Sequence, residues 1–179
     1  SRMKKFKFSK PLTQNSNQYI SLNFEVISEN ENIKNLTSSY VISKIWKGKF
    51  FIKRLINKVF KHKIKKKMDW NINFWEKIKI LNANFSYKLP EQILNLDQLK
   101  TTLLNETNSK RMKDILKYQK LLQQNINMNH PLFITGNALN MLGANVKSND
   151  IFFLDGSRRL LANILNDNIN NRALIIDLK

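Results

Sequence analysis

Two adjacent arginines in the run Asp155-Gly-Ser-Arg-Arg-Leu-Leu-Ala162 are the residues best suited to chemistry. The apolar Ile151-Phe-Phe-Leu154 reads as a buried strand, Asp155-Gly156 ends it, and Ser157 opens a helix whose first turn carries Arg158 and Arg159. A helix N-terminus offers unpaired backbone N–H groups and a partial positive charge, which makes it an anion site. Arginine there opposes the helix dipole, so helix propensity does not account for it. A phosphate held between the amides and the guanidinium forks does. The plainer alternative is a strand-turn-helix in which Ser157 is an ordinary N-cap.

Other catalytic chemistries are sparsely equipped. The chain has no cysteine, which removes disulfides, thiolate metal sites and cysteine nucleophiles together. His62 and His130 are the only imidazoles and lie far apart, so a histidine metal cluster is not expected. Asp155 has two readings: a Mg²⁺ ligand or proton acceptor beside a bound phosphate, or a turn residue before glycine. Glu106, Asp114, Asp150 and Asp177 are candidates for a second acid by chain region alone. His130, at the start of the preceding strand, reads as a capping or packing residue.

The elements that must position this loop divide the chain. Its 179 residues, 42% of them hydrophobic, suffice for one core with a small appendage. Residues 89–179 are best specified. Thr107 or Asn108 should cap a helix carrying Met112, Ile115, Leu116 and Leu122 as far as about Gln124. His130-Pro131 should lead into a strand over Leu132–Ile134. Asn137–Leu142 reads as a helical turn closed by Gly143 in a left-handed conformation. The helix from Ser157 should end near Asn166–Asn168, and Ala173–Ile176 should be a last strand. The order helix, strand, strand, turn, helix, strand indicates a small mixed α/β (α+β) domain.

Residues 1–88 read as a basic, mainly helical extension packed on that domain. Tyr19–Ile27 alternates polar and apolar side chains and is expected to be an edge strand. Trp70, Phe74, Trp75, Ile78, Ile80, Leu81, Phe85 and Tyr87 form a cluster read first as core and second as a base-stacking surface. Leu89-Pro90 looks like a linker entering a short helix with Pro90 at its first position.

No acidic residue occurs from Asn32 to Met68, a stretch that includes Lys44, Lys53, Arg54, Lys58, Lys61 and several further lysines. Its apolar residues recur at three- and four-residue steps, so much of it should be helical. Three readings stay open for the 44–67 stretch: a solvated lysine face, a surface on anionic lipid, or a nucleic-acid contact through Lys53, Arg54, Lys58 and Lys61. The net charge of +18 predicts attraction to polyanions. The abundance of asparagine and lysine, both with A/T-rich codons, makes part of that charge compositional. No apolar run reaches the roughly 18–20 residues of a membrane span and no signal peptide is visible, so a cytoplasmic protein is expected. Ser1-Arg2 reads as an addition ahead of a natural start at Met3.

The residues from Lys110 onward resemble the ParB/sulfiredoxin-like superfamily. The matching order is a helix over 110–124, His130-Pro-Leu-Phe-Ile134, Gly156-Ser-Arg-Arg-Leu-Leu-Ala162, and a strand over 173–176; the similarity covers roughly residues 89–179. In ParB-like domains, Gly-x-Arg-Arg-x-x-Ala opens a helix that holds nucleotide phosphates. The resemblance implies that Gly156, Ser157, Arg158 and Arg159 bind a nucleoside di- or triphosphate, with Mg²⁺ as a companion ion and phosphotransfer or nuclease activity as family chemistries.

The chain also departs from the family. Ser157 stands where many partitioning members have glutamate, the segment Thr135–Asp150 is longer than usual, and no helix-turn-helix domain is expected after the last strand. Sulfiredoxin chemistry is excluded because it needs a cysteine. A nucleic-acid binder or nuclease, and a non-enzymatic scaffold carrying a remnant of the loop, are the rival readings.

Overall fold

The computed structural model describes residues 5–11, 19–30, 74–124, 130–141, 145–166 and 171–179. The basic 44–67 stretch, with Lys53, Arg54, Lys58 and Lys61, lies outside them, as do Trp70 and Gly143. In chain order the elements are β1 (Lys5–Pro11), β2 (Tyr19–Glu29), α1 (Phe74–Lys77), β3 (Ile78–Lys88), α2 (Leu96–Glu106), α3 (Ser109–Gln123), β4 (Leu132–Thr135), α4 (Gly136–Met141), β5 (Ile151–Asp155), α5 (Ser157–Leu165) and β6 (Arg172–Leu178). The class is α+β: six strands form one sheet in the order β1-β2-β3-β6-β4-β5. The sheet is mixed, with β1–β2 and β4–β5 antiparallel and β4–β6 parallel.

The alternation of β2 is as expected: Ile20, Leu22 and Phe24 are buried, while Tyr19, Asn23 and Glu25 are exposed. Its position is not. β1 pairs along it from Lys5↔Glu25 to Pro11↔Tyr19 and β3 takes its other side, so β2 is an interior strand rather than an edge. The sequence reading missed β1, a short Lys-Phe-Lys-Phe alternation in a basic segment.

Compact grouping of the described chain yields two units, each discontinuous in sequence. The first comprises residues 1–26, 83–131 and 156–173. Its core includes Phe24 and Phe85, whose ring centroids lie 6.0 Å apart, with Leu99, Leu103, Met112, Ile115 and Leu122 from α2 and α3. Asn95 caps α2 by accepting from the Gln98 amide at 2.9 Å, and Asn108 caps α3 by accepting from the Arg111 amide at 2.8 Å. The cap at Asn95 corrects the expectation for Pro90. Pro90 lies five residues upstream, in a turn where the Ile93 amide donates to its carbonyl at 2.9 Å. Leu116 was expected on the buried face of α3 but is 42% exposed.

The second unit comprises residues 27–82, 132–155 and 174–179. Ile78, Ile80, Phe133, Ile134, Ile175 and Ile176 are fully or almost fully buried there, and Phe133 meets Phe153 edge-on at 5.3 Å. After β4 the chain turns at Gly136, where a Cβ would run into the Lys147 carbonyl. The Gly136 amide donates to the Asp150 carbonyl at 2.7 Å. Asn140 donates to the Val146 carbonyl at 2.8 Å and accepts from its amide at 2.9 Å. The long segment 135–150 therefore closes on its own backbone.

Candidate functional site

Gly156 creates the strand-to-helix turn. Its φ of 94° lies in the left-handed region, where a side chain is strained, and it is the N-cap of α5 without any side-chain cap. Ser157 is therefore not the N-cap; it is the first helical residue. That corrects the plainer sequence alternative. Glycine supplies no side-chain cap, and a helix start of this kind is suited to an anion.

From Leu160 to Leu165 every residue of α5 is buried, so only its first turn reaches the surface. The burial is apolar except for Asn163. The helix is anchored by its body and presents its positive end.

The two loop arginines divide. The Arg159 guanidinium folds back over the turn, so close that a Cβ placed on Gly156 would stand 2.9 Å from Nη2. Arg158 is held by an ion pair to Asp114 of α3, Nη1 to Oδ2 at 3.2 Å, with both side chains substantially exposed. Of the two, Arg159 is the one whose guanidinium lies against Gly156. Asp155, half-buried, ends β5 opposite Leu132 and immediately precedes the turn.

A third arginine joins from another element. Arg111 of α3 donates from Nη2 to Ser157 Oγ at 2.9 Å. Burial, and to a smaller degree the charge of Arg158, push the Arg111 guanidinium below its ordinary pKa. Sequence reasoning did not name it. Its residue type gave no cue, because the 46 residues separating it from Ser157 are bridged only by the packing of α3 on α5.

Arg172 extends the positive environment, and His130 lies within it. The parallel register Leu132↔Leu174, continued two residues back, sets His130 beside Arg172 at the start of β6. Burial lowers the His130 pKa most, and the charges of Arg172 and Arg159 lower it further. His130, read from sequence as a packing residue, thus lies within the field of Arg159.

The other acids named from sequence sit elsewhere. Asp114 is engaged by Arg158. Asp177 is 2% exposed and accepts from Thr135 Oγ1 at 2.7 Å. Glu106 and Asp150 are exposed at the end of α2 and just ahead of β5. Among the described residues no group of three or more His, Asp or Glu is arranged to hold a metal. A Mg²⁺ ion at Asp155 would need phosphate oxygens and water for most of its ligands, which is its usual habit with nucleotides.

No helix among the described residues is long and apolar enough to cross a membrane. Compared with known proteins, the chain matches no family model, no curated sequence and no solved structure.

Proposed function

We propose that this protein is a ParB/sulfiredoxin-like α+β domain that binds the phosphate groups of a nucleotide or another phosphorylated ligand at the Gly156 turn. The observation that carries the reading is the Arg159 guanidinium lying against a left-handed Gly156 that has no side-chain cap, at the half-buried start of an otherwise buried helix. Phosphate oxygens there would meet amides of α5 and the Arg159 fork together, a charge-assisted arrangement stronger than neutral hydrogen bonds. Ser157 is steadied by Arg111, and Arg172 adds positive charge near His130, whose own imidazole is kept in its neutral form. Arg158 contributes charge at the rim while paired with Asp114.

The same parts suit holding phosphate better than transferring it. Transfer needs a base within reach of an acceptor hydroxyl. Asp155 is the one acid adjoining the turn in sequence, and it would serve as that base or as a Mg²⁺ ligand.

The test is thermal unfolding of the full chain with inorganic phosphate, pyrophosphate, ADP and ATP, with and without Mg²⁺. A ligand at a hundredfold excess over its dissociation constant stabilises the folded state by about 2.7 kcal/mol. The shift should fall to about half or less in Arg159→Gln. An undiminished shift in that variant, or none with any phosphate compound, sinks the proposal.

A further inference from the structure

The outer face of α3 carries a ridge of four lysines. Lys110, Lys113, Lys117 and Lys120 recur at steps of three, four and three residues, and all four are exposed. At about 100° and 1.5 Å per residue they fall within about 80° of arc along about 15 Å of axis. The buried Met112, Ile115 and Leu122 lie on the opposite side, so packing directs the lysines straight outward. Asp114, the single acid of α3, is engaged by Arg158 beside the ridge and does not neutralise it.

A straight row of like charges is unfavourable by itself, because lysines three and four residues apart on a helix repel. A polyanion with regularly spaced charge relieves that repulsion along the whole row. A lipid surface fits poorly: a helix binds a bilayer by burying its apolar face in it, and the apolar face of α3 is already covered by the core. A flexible single strand gains much of its affinity from stacking on aromatic rings, and the one aromatic residue of α3, Tyr118, lies off the ridge. The B-form major groove is wide enough for an α-helix, whereas that of A-form RNA is deep and narrow. Lysines are point charges that contact phosphate without reading bases.

We propose that the Lys110–Lys113–Lys117–Lys120 ridge is a docking surface for the sugar-phosphate backbone of duplex DNA, engaged without sequence preference. This surface is separate from the Gly156 turn and does not depend on the function proposed for it.

The experiment compares two full-length variants of equal charge by fluorescence anisotropy with a labelled duplex. One carries Lys→Gln at 110, 113, 117 and 120. The other carries Lys→Gln at the exposed Lys77, Lys88, Lys147 and Lys179. Each replaces four lysines and so takes the formal charge from +18 to +14.

The ridge variant should lose most of its affinity. The slope of log affinity against log salt should fall in magnitude by about 0.9 for each lysine that meets a phosphate. The second variant should bind as wild type does. Equal losses in both would mean net charge alone is responsible and overturn the proposal. So would wild-type binding by the ridge variant, failure of the wild-type protein to bind duplex DNA at low salt, or ridge-dependent retention on anionic vesicles or duplex RNA but not on DNA. Circular dichroism of both variants guards against misfolding, and Lys117→Glu alone, which should weaken binding, gives a milder check.

Discussion

Arg111 and Ser157 are joined by a 2.9 Å hydrogen bond from Nη2 to Oγ, and through it the middle helix of the domain reaches the start of the arginine turn. The bond takes one of the two lone pairs of the Ser157 hydroxyl and leaves its proton to be donated. It also holds a partly buried guanidinium close to Arg158, and that crowding contributes to pushing the Arg111 pKa below its ordinary value. An anion arriving at this point would relieve part of the strain among the arginines. Arg111, Arg158 and Arg159 thus have different neighbours: Ser157, Asp114 and Gly156.

Arg159→Gln should sharply reduce phosphate-dependent stabilisation, at a cost of roughly 1.5–3 kcal/mol in affinity for the lost charge-assisted pair. Arg158→Gln should weaken binding less, because the Arg158 guanidinium is drawn to Asp114 of α3 while that of Arg159 lies against Gly156. Isothermal titration with pyrophosphate separates the two. Equal losses in the two variants would mean that the different placements of the arginines do not matter to the ligand.

Gly156→Ala should be destabilising and should also impair binding. The left-handed φ of 94° costs an L-residue roughly 1–2 kcal/mol, and the new methyl group would push Arg159 Nη2 from a distance of 2.9 Å. Gly156→Asn keeps more of the backbone preference but collides with the same guanidinium. Chemical denaturation gives the stability loss and titration gives the affinity loss. If Gly156→Ala binds phosphate like wild type once folded, Arg159 does not act from its position over the turn.

The turn was legible in the sequence because a strand, a glycine and a helix start are all local signals. β4, β5, α5 and β6 came close to their expected spans for the same reason, each being a short apolar run bounded by Asn, Asp, Gly or Pro. β3 was less legible. Its buried positions change phase between Ile80 and Leu81, so no single period-2 pattern runs through Ile78–Lys88. The placement of β2 inside the sheet depends on β1, whose seven residues carry too few apolar side chains to stand out. Arg111 and the lysine ridge were invisible for another reason: which face of α3 is exposed is decided by packing, and a sequence rich in lysine hides a regular row among compositional ones.

Thr135→Val should cost roughly 1.5–3 kcal/mol of stability, the range for a hydrogen bond to a charged group. Thr135 Oγ1 donates to Asp177 Oδ1 at 2.7 Å, and both residues are at least 98% buried. The same oxygen accepts from the Ala138 amide at 3.2 Å, so valine also removes the partner of the first turn of α4. Thr135→Ser should retain most of the stability because it keeps the hydroxyl. Urea unfolding of the two variants side by side is the measurement, and a loss in Thr135→Ser as large as that in Thr135→Val would show that the hydroxyl is not the main contributor.

Protonation of His130 should link stability to pH. Its folded-state pKa is lowered from 6.5, by burial first and then by Arg172 and Arg159, so the unfolded chain binds the proton more readily. The contribution of His130 to stability is therefore complete above about pH 6.5 and declines as the pH falls through 6.5 toward the lower folded value. A phosphate bound near Arg159 would offset the two arginine charges and raise the His130 pKa, so ligand should reduce this acid loss, and binding should tighten on going from pH 7.5 to pH 6. Melting curves across this range, with and without pyrophosphate, should show the effect in wild type, and His130→Gln should remove it. If the ligand leaves the acid loss unchanged in wild type, His130 does not sense the phosphate, and the positive environment of the turn ends at Arg159.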